Sequence, residues 1–439
     1  MTTLTSAQLD KLADNIFITG DRAATRLPKP TPTGSTAFFT ALDPIASNAD
    51  LKDAGIGIID FTGDPAHPSI WLNNEGKTFR IGSASKIAMM LAAVQLRLDV
   101  RNILGLPTKI ISTPAEFDSV FADAALWRRG KAPKRELGQI AGTANAPQVS
   151  KIFDFTKSPI DFAGPDPDTQ FQPANRDKAF NKLPASRELE WETNPPLSFS
   201  ERYWLTGYRS DNVAATACVS EIGVPYIKAV QRAYGLSDHP SDGMHLLASA
   251  GYANIPRKTT PPAPPPPRSL THIETLQVED FWLSDPGPPQ KFDDKRSWVP
   301  GSAAALTAYM LALESNKLGD AAACKTIRNN LADGVGHAIR SFVIGDSHHG
   351  IASLTQVKAQ HNKIGILKQS DGAKQPLLCE FVLVETEETT APAAGHRSKM
   401  KYGVILAGLI ATDPDGVSAV KGAQLLGETV HKALLKLPP

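Results

Sequence analysis

The sequence predicts a mixed α/β protein whose single sheet is assembled from the two ends of the chain, with a helical lobe between them. Three observations carry this. Strand-like runs rich in Ile, Val and Leu cluster near the start, within 54–81, and near the end, within 361–411. The run 87–98 and the stretch 416–437 have the length and apolar spacing of helices. The 439-residue chain is also too long for one ordinary core, so two folding units are expected.

The elements follow in order. Residues 1–52 form an N-terminal extension with a helix. Residues 54–61 (Ala-Gly-Ile-Gly-Ile-Ile-Asp-Phe) read as a buried strand closed by a Gly-Asp-Pro turn. Residues 69–72 and 77–81, joined by Asn-Asn-Glu-Gly, read as one second strand with a bend, and a helix follows from near Ser83. Residues 197–208 and 213–223 are helical in pattern. Three strand candidates come late, at 361–367, 377–385 and 401–411. The final helix carries Val420, Leu425, Leu426, Val430, Leu434 and Leu435 on an apolar stripe. The division that results is a sheet subdomain from 53–103 and 347–439, and a helical subdomain from 104–346 with insertions at about 113–196 and 237–297. Within the second insertion, seven residues running from Pro261 to Pro267 include six prolines, which makes 257–268 a stiff polyproline-like loop.

Composition excludes several classes. With 46 basic and 45 acidic side chains, the net charge of +1 gives no reason to expect nucleic acid or an anionic membrane as partner. The longest apolar stretches, 87–96 and 402–411, are half of the roughly 20 residues that a bilayer span needs. The first ten residues lack the basic start and apolar core of a secretory signal, so a cytoplasmic location is expected, or a periplasmic one if a leader was trimmed. Cys218, Cys324 and Cys379 are widely spaced and read as free thiols. Histidines show no i, i+4 pair for zinc, so neither metal nor cofactor is expected. Gly76-Lys77-Thr78 imitates a phosphate loop, but Trp71 stands where that loop needs glycine; Gly55-Ile-Gly57 lacks the third glycine of a dinucleotide site.

The chemistry gathers at three places. Ser83 and Lys86 lie at i and i+3 in Gly82-Ser83-Ala84-Ser85-Lys86, so a helix starting there holds a hydroxyl and an amine one turn apart. Serine needs such a neighbour, because its hydroxyl is a weak nucleophile until a base takes the proton. Ser210-Asp211-Asn212 joins two helical segments, where Asp211 is placed to cap the second through its carboxylate. Lys363-Ile364-Gly365 sits on a late strand, with His361 on the same strand face as Lys363, read as a hydrogen-bonded structural histidine. A further Ser-x-x-Lys, from Ser398 to Lys401, leads into a strand and is read as accidental.

Ser-x-x-Lys, Ser-Asp-Asn and Lys-x-Gly in this order resemble the serine β-lactamase and penicillin-binding protein superfamily. The flanking stretches 197–212, 222–236 and 299–310 also look like class A β-lactamase helices. The resemblance covers roughly residues 54–437. It implies an antiparallel five-stranded sheet flanked by terminal helices, plus an all-helical lobe, with the site between them.

The resemblance also assigns roles: Ser83 as nucleophile, Lys86 as base, Ser210 as proton carrier to the leaving group, and Lys363 as the second cation. Asn212 would bind Lys86 and a substrate carbonyl. Ile364, Gly365 and Ile366 would line the substrate strand, with the backbone N–H groups of Ser83 and Ile366 holding an oxyanion. A lysine near its usual pKa of about 10.4 is neutral only about 0.04% of the time at pH 7, so Lys86 needs burial and a neighbouring cation.

Two departures stand out. Ile364 replaces the Thr or Ser usual in the family and cannot donate a hydrogen bond, which favours an ester or amide over a carboxylate-bearing lactam. The glutamate that class A enzymes use for deacylation has no counterpart in 237–256, leaving Glu274 and Glu279 as distant candidates. The expectation is a serine hydrolase acting on a small-molecule or peptide-like amide, lactam or ester. The alternative is a catalytically degenerate relative serving as a binding or scaffold protein.

Overall fold

The computed structural model describes residues 26–104, 110–111, 152, 160–161, 197–222, 227, 230–231, 233–236, 244, 246, 300–332, 355–367, 376–388 and 395–438. The proline-rich loop, Glu274, Glu279 and nearly all of both insertions lie outside the described residues.

The first described helix is α1 (Thr36–Ser47), whose start is fixed by Ser35 accepting the Phe38 N–H. Next come β1 (Gly55–Asp60), β2 (Ser69–Asn73), β3 (Thr78–Arg80), a 3₁₀ turn (Gly82–Ser85) and α2 (Lys86–Leu104). Two short strands, β4 (Ile110–Ile111) and β5 (Ile160–Asp161), pair with each other. The helices α3 (Phe199–Tyr208) and α4 (Asn212–Ile222) follow, then β6 (Pro300–Ser302), α5 (Ala303–Glu314) and α6 (Ala321–Leu331). The end of the chain supplies β7 (Thr355–Leu367), β8 (Leu377–Glu388), β9 (Lys399–Ile410) and α7 (Val417–Leu435).

The five-stranded sheet has the order β2-β1-β9-β8-β7, and every neighbouring pair is antiparallel. Both chain ends therefore meet in it, with β1 against β9 through pairs such as Ile58 with Val404. The strands read as long apolar runs because both faces are covered. Phe381, Leu383, Ile405 and Ala407 belong to a core shared with α2, α5 and α6. Their alternates Val382, Val384, Val404 and Leu406 pack with Phe38 and Leu42 of α1 and Leu426 and Val430 of α7. Gly403 lets α5 approach the sheet closely, since a Cβ there would lie 1.9 Å from Met310 Sδ.

One element departs from the sequence reading. β3 does not continue β2 as a bent strand; it pairs with β6 in a separate two-stranded sheet, Phe79 opposite Gly301. Asn74 turns the chain, with φ +48° and its Nδ2 donating to the carbonyls of Lys52 and Ala54. The strand candidate at 361–367 also extends back to Thr355. The C-terminal helix is anchored from below. Arg397 Nη1 meets Asp60 Oδ2 at 2.6 Å, both buried, and Arg397 also donates to the carbonyls of Pro438 and Leu435.

Candidate active site

The nucleophile candidate sits on the 3₁₀ turn rather than inside an α-helix; α2 begins only at Lys86. The turn is tightly tied. Gly82 takes φ +50°, the Ala84 N–H donates to Ile81 O at 3.0 Å, and Ser85 Oγ donates to Gly82 O at 2.7 Å. Ser83 is half-buried, while Lys86 is only 1% exposed.

Lys86 crosses to the α3–α4 connection. Its Nζ lies 2.6 Å from Ser210 O, 2.7 Å from Asn212 Oδ1, 3.2 Å from Asp211 O and 3.4 Å from Ser210 Oγ. Three N–H bonds satisfy an ammonium, and the three shorter contacts supply them. A neutral amine has one fewer proton and a lone pair, and the Ser210 hydroxyl stands at its edge. Ser210 holds φ +58°, uncommon for a residue with a side chain, and this left-handed step aims its carbonyl at Lys86. Such strain, about 1 kcal/mol or somewhat more, gathers where function demands a geometry. Asp211 caps α4, accepting the Ala214 N–H at 2.9 Å.

The third piece arrives from the edge strand β7. Lys363 is 1% exposed, and its Nζ has Ile364 O at 3.4 Å. Gly365 abuts the turn that carries Ser83: a Cβ would fall 2.0 Å from Ile81 O and 2.8 Å from Ala84 N. No side chain fits there, so β7 lies directly against the turn that carries Ser83. Beneath this contact, Cys379, paired with Gly365, accepts the Gly408 N–H and donates to Arg80 O, tying the approach to Ser83 to β8. Sequence reading missed that role, because a lone buried thiol looks like any small apolar residue.

The charge on Lys86 is set by its surroundings, Lys363 among them. Burial pushes Lys86 well below the usual lysine range, the nearby Lys363 ammonium pushes it further, and the Asp211 carboxylate opposes both. Burial alone lowers Lys363 to about 7. Both effects favour the neutral amine at Lys86.

Ile364 is placed elsewhere. Its side chain, 9% exposed, belongs to the core beneath the terminal helices, on the face of β7 opposite to Lys363. Strand alternation explains this, since neighbours of Lys363 and Gly365 must point to the other face. Ile366 is 47% exposed at the strand's end. His361 is half-buried, its Nδ1 2.9 Å from Arg328 O, and desolvation lowers its pKa. Trp204 stacks on Tyr208 with ring centroids 4.9 Å apart. Among the described residues no group of three or more His, Cys, Asp or Glu could hold a metal ion, and no helix is long and apolar enough to cross a membrane.

No known sequence family matches the chain, and no curated protein matches it in sequence. Solved structures do match. A β-lactamase from Sphaerobacter thermophilus is 13% identical with a TM-score of 0.41, covering 91% of this chain and 99% of its own. A β-lactamase from Desulfarculus baarsii is 12% identical with a TM-score of 0.39, covering 90% and 98% respectively. A class A β-lactamase from Bacteroides cellulosilyticus is 11% identical, also at 0.39, covering 91% and 99%. These are likenesses alone. The chemistry rests on the geometry of Lys86, Ser210, Asn212 and Lys363.

Proposed function

We propose that the protein is a serine hydrolase of the β-lactamase-like kind, forming an acyl-enzyme on Ser83 from an amide, lactam or ester. The observation that carries this reading is the buried Lys86 amine, one turn from Ser83 and bonded to Ser210 O and Asn212 Oδ1, with the Lys363 charge lowering its pKa. Ser83 Oγ attacks the carbonyl carbon while Lys86 takes its proton. Ser210 hands its hydroxyl proton to the departing nitrogen or oxygen and takes the Lys86 proton in its place, which returns Lys86 to the neutral amine. The N–H groups of Ser83 and Ile366 hold the oxyanion, each such donor being worth about 3–4 kcal/mol. Water then releases the acyl group, with Lys86 again as base.

The test uses a fluorescent penicillin and a fluorophosphonate, read by intact mass and peptide mapping. The expected result is one adduct on Ser83, absent in Ser83→Ala. Labelling by the phosphonate but not the penicillin assigns an ester or amide substrate. Inertness to both reagents and to activated esters sinks the hydrolase reading and leaves a binding role.

A further inference from the structure

Ser210 and Asn212 reach Lys86 only through the helical hairpin that carries them, so the angle of that hairpin sets the length of their contacts. The apex is rigidly joined to both helices. The Asp211 N–H donates to Leu205 O in α3, and Asp211 Oδ1 accepts the Ala214 N–H in α4. Any tilt of either helix therefore moves the apex with it. Between its ends the hairpin is buried through Phe199, Tyr203, Trp204 and Leu205 of α3 and Ala214, Ala215 and Ala217 of α4, with Gly207 against Asn330 O and Met90.

At the open end, an ion pair ties the two helices to each other. Arg202, in the first turn of α3, grips Glu221, in the last turn of α4, with Nη2 at 2.7 Å from Oε1 and 2.6 Å from Oε2. The two side chains are 14% and 12% exposed, and Arg202 Nη1 also donates to Leu197 O. From Glu221 to Asn212 is about 13 Å along the helix, so a tilt of about 5° carries the apex by about 1 Å. That is enough to break hydrogen bonds at Lys86.

We infer that Arg202 and Glu221 are positioning residues: their ion pair holds the α3–α4 hairpin at the angle that keeps Ser210 and Asn212 on Lys86. This rests on the hydrolase reading for its kinetic consequence but not for its structural one, and the experiment separates the two. Arg202→Lys, which keeps the charge but loses the fork, and Glu221→Gln, which keeps the shape but loses the charge, are compared with the parent chain.

Two readouts are taken. The first is the rate of Ser83 labelling by fluorophosphonate, with kcat and KM for an activated ester. It is expected to fall about tenfold or more in the rate constant with KM unchanged. The second is the Lys86 titration, followed by NMR of 13C-labelled lysine. It is expected to move down by about half a unit or more, because carbonyl and amide acceptors favour the ammonium. Reversing the pair as R202E with E221R is expected to recover part of both. If the parent does not label at all, the hydrolase reading fails while the Lys86 titration still tests the brace. A Lys86 titration that stays put or moves up in both single variants overturns it, even if melting temperature falls.

Discussion

Replacing Lys363 with methionine should make the protein more stable and less active. The amine is 1% exposed, and its folded-state pKa is about 7 against a usual value of 10.5. A depressed lysine pKa means the unfolded chain binds the proton more tightly, so stability rises with pH between about 7 and 10.5 and is lowest below 7. At about 1.4 kcal/mol per unit, the burdened amine costs the fold about 4 kcal/mol at pH 7 and almost nothing at pH 10.5. Lys363→Met removes that cost and keeps the apolar stem. It also takes away the charge that depresses Lys86, so the Lys86 pKa rises and the acid limb of any pH–rate profile moves alkaline. Urea unfolding of both proteins at pH 7 and pH 10 measures the first effect. The variant should be stabler at pH 7 by several kcal/mol, with the gap closing at pH 10. A variant no stabler than the parent at pH 7, or a gap independent of pH, refutes the reasoning.

Asn212→Ala removes an acceptor that favours the Lys86 ammonium, so its acid limb should move to lower pH, opposite to Lys363→Met, with ester turnover slowed about tenfold. A shift in the same direction for both variants would contradict the assignment of Lys86 as base. Gly365→Ala forces β7 off the nucleophile's turn, because the added carbon meets backbone that cannot yield. About 1–3 kcal/mol of stability and roughly a hundredfold of acylation rate should be lost, checked by urea midpoint and single-turnover labelling. Arg397→Met leaves Asp60 buried without its 2.6 Å partner and should cost about 3–5 kcal/mol in urea unfolding. Part of this should return in the double variant with Asp60→Asn; a loss under about 1 kcal/mol would remove the clamp's role.

The main sheet was legible because its strands are apolar on both faces, and both cores demand it: Ile58, Val404 and Phe381 have nowhere to go but inside. The ordering of Ser83, Lys86, Ser210, Asn212 and Lys363 was legible from motif spacing, although spacing alone says nothing of convergence. What escaped was set by contacts between distant segments. β3 left the sheet because Asn74 turns the chain and β6, more than 200 residues away, offers a partner. The alternation that put Lys363 on the side of Lys86 also put Ile364 behind the sheet, a consequence available from the strand period but obscured by reading the triplet as a unit.

By itself, then, the amino-acid order determined local matters: which runs are strands, which are helices, and which side chains carry titratable or nucleophilic groups. Tertiary structure decided the rest, because a pKa, a hydrogen-bond partner and an exposed face depend on what else occupies the same few ångströms. Lys86 is an ordinary lysine in the chain. It becomes a candidate base only where the α3–α4 connection and β7 close around it and exclude water.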